Sequence, residues 1–210
     1  QTELGHIVDL IGRFAMANPS VHFRLIHNSR EVLSSPATGK PFNSITQVLG
    51  KDIAKQLSPI SFETPVMRVS GFISNASFTR INRAYQIFFV NGRPVRSRAI
   101  THAVDQAYRG LLLPGRHPVA IIFLDLVPEL VDVNVHPTKA EVKFSSEQEI
   151  HSAVYRAVNA ALMAGAAAPT ITTTRAPAQR PAPPLCLTPD LPQYRQGTLT
   201  DRPTAVDLRT

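Results

Sequence analysis

The side chain best placed for chemistry in this sequence is Lys139. It stands in VDVNVHPTKAEVKF, residues Val131 to Phe144. Val131, Val133 and Val135 alternate with Asp132, Asn134 and His136, the period of a strand with one apolar and one polar face. Pro137 cannot continue a hydrogen-bonded strand, so the chain turns at His136–Pro137, and Val142 and Phe144 then resume the alternation. A lysine on that turn is a compact charge on a flexible stem that can be aimed at an anion. The plain alternative is a solvated turn lysine. Thr138 and His136 shape the turn. Asn134 is either a side-chain clip within it or a solvent-face residue.

A second group of cations is denser. Between Arg80 and Arg116 there are seven arginines (80, 83, 93, 96, 98, 109 and 116) against one acid, Asp105, a local charge of +6 within a chain of +7. Such an excess suits a polyanion, and nucleic acid is the polyanion that fits best. Arg93, Arg96 and Arg98 fall within six residues beside the Asn91–Gly92 turn, and Arg80 and Arg83 extend the patch from the preceding loop. Contacts from these residues to phosphates would give little sequence preference and a strong dependence on salt. Few aromatics stand among them, which argues against a base-stacking platform for single strands. The competing reading pairs Arg93 and Arg96 with acids on the sheet.

Other chemistries lack their parts. No two of the ten glycines are close enough for a G-x-G or P-loop phosphate cradle. Asp125, Glu129, Asp132 and Glu141 offer no carboxylate pair for acid–base work, and Glu3 and Asp9 read as solvated. No Cys/His cluster has metal-ligand spacing. The lone Cys186 cannot form an internal disulfide, so a reducing compartment is expected. No run has the length of a membrane span, and Gln1 to Ile7 does not read as a signal peptide.

These side chains need a scaffold. Leu4, Ile7, Val8, Ile11 and Phe14 predict an amphipathic helix ending near Asn18–Pro19. Val21–Ile26 and Glu31–Ser34 predict a hairpin across His27–Arg30. Phe42–Leu57 predicts a helix interrupted by Gly50. Ser58–Glu63 and Val66–Ser74 read as strands, and Asn75–Arg83 as a loop. The run Ala84–Val90 is strongly apolar, with Tyr85, Ile87, Phe88, Phe89 and Val90, and suits a central strand buried on both faces, with Tyr85, Phe88 and Phe89 in the core. Asn91–Gly92 marks a tight turn into a short strand, Arg93–Val95. Ser97 caps a helix to Tyr108 whose buried stripe is Ile100, Ala103, Val104, Ala107 and Tyr108. Leu111–His117 is a loop, Val119–Val127 a strand, and Glu147–Met163 a final helix. After Gly165 the chain is rich in Ala, Pro, Thr and Arg, with eight of its 18 prolines, and reads as a disordered linker over 165–210. The fold class is α+β, a mixed sheet with helices.

The string VDVNVHPTKAEV closely resembles the signature of the MutL family of DNA mismatch-repair proteins, and FFVNGRPVRSR at Phe88–Arg98 resembles a second stretch of that family. The resemblance spans about Gln1 to Met163. It implies that residues 1–18 are a connecting helix from a GHKL-type ATPase domain upstream, and that 19–164 are the transducer domain. The chain would then be a fragment. The transducer resembles the second domain of a small-subunit ribosomal protein, with a left-handed βαβ crossover expected around 84–90, 97–109 and 119–127, against the usual right-handed rule. Lys139 is implied to reach the γ-phosphate of ATP as the catalytic, ATP-binding lysine of a divided site. Arg98 is implied to bind DNA, with Arg96, Arg93, Arg80 and Arg83 beside it. ATP and Mg2+ are the cofactors implied for the whole protein, with the Mg2+ site elsewhere and no nucleotide bound or hydrolysed by this chain alone. The implied partners are DNA, a MutS-type mismatch-recognition protein and a second copy of the protein, without a membrane. The implied location is bacterial cytoplasm at the nucleoid. Two other readings compete: the transducer of a gyrase-type topoisomerase, where a turn lysine has a similar task, and a ribosomal-type RNA-binding domain, where Lys139 would be incidental.

Overall fold

The protein is described by a computed structural model that covers residues 3–132 and 142–166. Its centre is a five-stranded sheet in the order β3 (Leu57–Thr64), β4 (Met67–Ser74), β9 (Ala120–Leu126), β6 (Gln86–Val90), β7 (Arg93–Val95). The remaining strands form separate pairs. β1 (Phe23–His27) pairs with β2 (Arg30–Ser35), β5 (Thr79–Arg80) with β8 (His117–Pro118), and β10 (Val131–Asp132) with β11 (Lys143–Phe144). All pairings are antiparallel except β6 with β9. That parallel pair is joined through β7, the helix α4 (Arg98–Ala107) and β8, so the sheet is mixed and the α+β expectation holds.

Two helical layers cover the two sheet faces, and the strands show why. Phe88, Val90, Ile122 and Leu124 point to one side, where α4 and the last helix, α5 (Glu147–Ala166), contribute Ile100, Val104, Val154 and Val158. Ile87, Phe89 and Ile121 point to the other, where Met16 of α1 (Glu3–Ala17), Ile45 of α2 (Pro41–Leu49) and Ile53 of α3 (Lys51–Ala54) close the second core. β6 is buried at all five positions, as the apolar run Ile87–Val90 requires, and the polar Gln86 is buried with it. Phe89 and Phe123 stack across the parallel pair with centroids 4.9 Å apart.

Several local expectations need correction. The helix predicted over Phe42–Leu57 breaks at Gly50, whose φ of 93° leaves helical space, and it ends at Ala54. The predicted loop Asn75–Arg83 contains β5, held by only two residue pairs to β8. Tyr85 belongs to a 3-10 turn over Arg83–Tyr85 and is only half-buried, packed at the edge of the second core with the Arg80 guanidinium over its ring.

The far end of α4 is anchored by Tyr108, which is 2% exposed. Its hydroxyl donates to the backbone carbonyl of Ser74, while the Ser74 hydroxyl accepts from Val119 N at 3.1 Å and donates to Phe78 O at 2.8 Å. Burial pushes the Tyr108 phenol well above its usual range, with the hydrogen bond to Ser74 acting the other way. Tyr108→Phe leaves a buried carbonyl unpaired and is expected to cost about 1–2 kcal/mol. The check is a lowered urea midpoint at unchanged m. The sign of the pH effect is fixed: the folded state retains a proton that the unfolded chain releases near pH ~10. The wild type therefore loses stability as pH rises beyond that point, and the phenylalanine variant does not share this loss.

Candidate nucleic-acid interface

Three local devices set the arginines. The first is the Asn91–Gly92 turn, with φ of 47° and 76° at its two residues, as a tight hairpin between β6 and β7 demands. The Asn91 side chain fastens this turn to the neighbouring strand. Its Nδ2 donates to Leu126 O at 3.0 Å and its Oδ1 accepts from Leu126 N at 2.8 Å. The second is Ser97, whose hydroxyl accepts from Ile100 N at 3.3 Å and caps α4. The third is Asn82, which accepts from Ala84 N and caps the 3-10 turn that begins at Arg83.

Arg98 is the first residue of α4. A cation there adds to the positive end of the helix dipole, which is unfavourable for the helix itself and favourable for a bound anion. Arg96 and Arg98 are exposed on either side of Ser97. They open onto a cleft of about 940 Å3 whose lining also includes Arg13, Arg83, His102 and Asp105. Among the described residues, the acids on its walls are Asp105 and Glu147.

The structure thus brings Arg83, Arg96 and Arg98 together and leaves out the other two predicted residues. Arg93 is exposed beside the hairpin turn, opposite Val90 in register. Arg80 lies flat against aromatic rings, its guanidinium carbon 4.4 Å from the Phe78 centroid and 5.2 Å from that of Tyr85. The competing idea that Arg93 and Arg96 pair with acids fails among the described residues, where the acid-paired arginine of this patch is Arg83. It donates to Asp105 at 2.8 Å.

Arg13 was not legible as a member of this group. It belongs to α1, where it bonds Asp9 one turn away at 3.0 Å, and nothing in its spacing links it to residues some seventy positions later. His102 was equally silent. Its Nδ1 lies 3.1 Å from Nε2 of His151 on α5, so one ring donates to the other across the helix pair. Among the described residues, no group of three or more His, Cys, Asp or Glu could hold a metal ion, and no helix is long and apolar enough to cross a membrane.

Lys139 lies outside the described residues, as do Asn134, His136, Thr138 and Glu141. The flanks are described. Val131 pairs with Phe144 and Asp132 with Lys143 in one short antiparallel ladder, and the rest of the expected strand–turn–strand lies outside the described residues. Phe144 is buried in the core beneath α5, and Ser145 bonds the carbonyls of Leu130 and Glu129.

Fold and cleft together define an α+β domain with an arginine-lined opening beside its mixed sheet. The chain belongs to the DNA mismatch repair protein family: the model described as "DNA mismatch repair protein, C-terminal domain" matches residues 45–163. It is 46% identical over 159 residues to the DNA mismatch repair protein MutL of Halothermothrix orenii, covering 76% of this chain and 25% of that protein. It is 44% identical over 161 residues to the MutL of Symbiobacterium thermophilum, covering 77% and 25%. The chain therefore spans about a quarter of the length of these relatives. A solved N-terminal domain of a DNA repair protein superimposes with a TM-score of 0.65 at 21% identity, over 76% of this chain and 53% of that one, and shares the fold. The family match decides for mismatch repair against the gyrase-type and ribosomal-type readings.

Proposed function

We propose that this chain is the transducer part of an ATP-switched mismatch-repair protein and that its arginine cleft holds duplex DNA by the phosphates. The observation that carries the DNA reading is convergence. Arg13 from α1, Arg83 from the turn before β6, Arg96 after β7 and Arg98 at the start of α4 line one opening. Four cations from separate elements on one cleft match a phosphate track better than a solvated surface of mixed sign. Arg93 and Arg80 are secondary contacts at most, the first set apart beside the turn and the second held against rings.

The ATP half of the reading rests on Lys139. Residues 1–18 would join an ATPase domain to the transducer at 19–164, with a linker over 165–210. Lys139 would complete the nucleotide site that the ATPase domain provides together with Mg2+, and this chain alone would turn over no ATP. Because the lysine would meet the γ-phosphate only while triphosphate is present, binding and hydrolysis would set how the two domains sit. A MutS-type protein and a second copy of the whole protein are the proposed partners.

The DNA reading is tested by Arg98→Glu. Duplex affinity at low salt is expected to fall about tenfold or more, and the slope of log affinity against log salt to flatten by about one. Thermal unfolding should not be lowered, since no described residue pairs with Arg98 and a carboxylate suits the N-terminus of α4 better than a cation. Equal affinity for duplex DNA in both proteins removes the cleft from the proposal.

A further inference from the structure

We infer that Asp105 is a resident anion of the arginine cleft, occupying Arg83 until a DNA phosphate displaces it, and that it sets the affinity of the site. The inference rests on the cleft being the DNA site. Asp105 is the one acid between Arg80 and Arg116, and it does not lie at the margin of that basic stretch but on the cleft wall itself. Two donors from separate elements bond its carboxylate, and a histidine nitrogen stands farther off. Arg83 Nη2 donates to Oδ2 at 2.8 Å, Gln86 Nε2 donates to Oδ1 at 3.3 Å, and His117 Nδ1 stands 3.9 Å from Oδ1.

The environment of the pair is asymmetric. The Asp105 side chain is 29% exposed and is held from the sheet side by Gln86, which is itself buried, whereas the Arg83 side chain is 55% exposed and rooted in a short turn. The carboxylate is therefore fixed and the guanidinium is the mobile partner. A carboxylate accepting from a guanidinium presents the same pair of oxygens as a phosphate does. A DNA phosphate entering the cleft would compete with Asp105 for Arg83, whereas among the described residues Arg96 and Arg98 are in no ion pair and Arg13 is paired with Asp9 on its own helix. Asp105 thus lowers the affinity that the arginine count alone would give. It also keeps Arg83 aimed at the opening when no DNA is present, so it acts as a positioning residue.

The test uses the 210-residue chain and a fluorescently labelled mixed-sequence duplex, titrated across a salt series. Asp105→Asn removes the charge and keeps one acceptor oxygen, whereas Arg83 and Gln86 bond different oxygens of the carboxylate, so the amide can no longer hold both. It is expected to tighten binding about three- to tenfold and to steepen the salt slope by about one, the mark of one additional phosphate contact. Introducing Arg83→Gln into the Asp105→Asn protein should reduce that gain to less than about twofold, because the released guanidinium is its source. Unchanged or weaker binding by a folded Asp105→Asn protein, or a gain that survives loss of Arg83, overturns the inference. Arg98→Glu separates the two levels. If it abolishes binding while Asp105→Asn is neutral, the cleft binds DNA and only the role of Asp105 is wrong. If it changes nothing, the cleft reading itself fails.

Discussion

Lys139→Ala is expected to lower ATP turnover about a hundredfold when this chain acts with a MutL-type ATPase domain. The magnitude follows from the chemistry. Phosphoryl transfer gathers charge on the γ-phosphate oxygens, and one fixed cation or donor at developing charge is worth ~10²–10³ in rate in a closed, dry site. The flanks argue that the effect would be local. The flanks of the segment are held by the Val131–Phe144 and Asp132–Lys143 pairs, and Phe144 is sunk in the core, so unchanged thermal unfolding of the variant is the check that its effect is local. The control is duplex binding, which is proposed to depend on the cleft and should not move. Stimulation of the ATPase domain that is equal for wild type and variant would return Lys139 to the status of a solvated turn residue.

The second large effect concerns the fold. Gly71→Ala is expected to destabilise the domain by about 3 kcal/mol or more, a large share of the ~5–15 kcal/mol that holds a typical domain together. Gly71 lies in β4, between Ile60 of β3 and Ile122 of β9, and has φ of 146°. A Cβ there would stand 2.1 Å from the Ile121 carbonyl oxygen and 3.0 Å from the Ile122 Cα. Both obstacles are backbone in the middle of the sheet, so relief requires strands β4 and β9 to part. Denaturant unfolding reads the loss directly, and a midpoint within error of wild type would show that the strands yield more easily than their pairing suggests.

What the sequence made legible was local. The apolar run at Gln86–Val90, the Asn91–Gly92 turn, the Ser97 cap and the stripe from Ile100 to Tyr108 each carry their cause within a few residues, and each is found. What escaped depends on distant neighbours. The β5–β8 pair is two residues long on each side and unites positions almost forty apart, below any periodic signal. Tyr85 reads as core by type, yet it stops at the rim because Arg80 covers its ring. The site divided in the same way. Arg96 and Arg98 were visible as a cluster, whereas Arg13 and the pairing of Arg83 with Asp105 arise only when α1 and α4 are folded onto the sheet. The charge tally could count Asp105 but not say which cation it faces.

One feature of the sheet bears on assembly. Its two outermost strands are β3 and β7, and each contains a proline, Pro59 and Pro94. Proline has no amide hydrogen to share, so neither border can offer a continuous row of donors to a newcomer strand. A neighbouring molecule cannot simply prolong this β-structure, and the protein is thereby guarded against edge-to-edge polymerisation. Contact between two copies across this sheet's borders would then fall to side chains and not to a shared ladder.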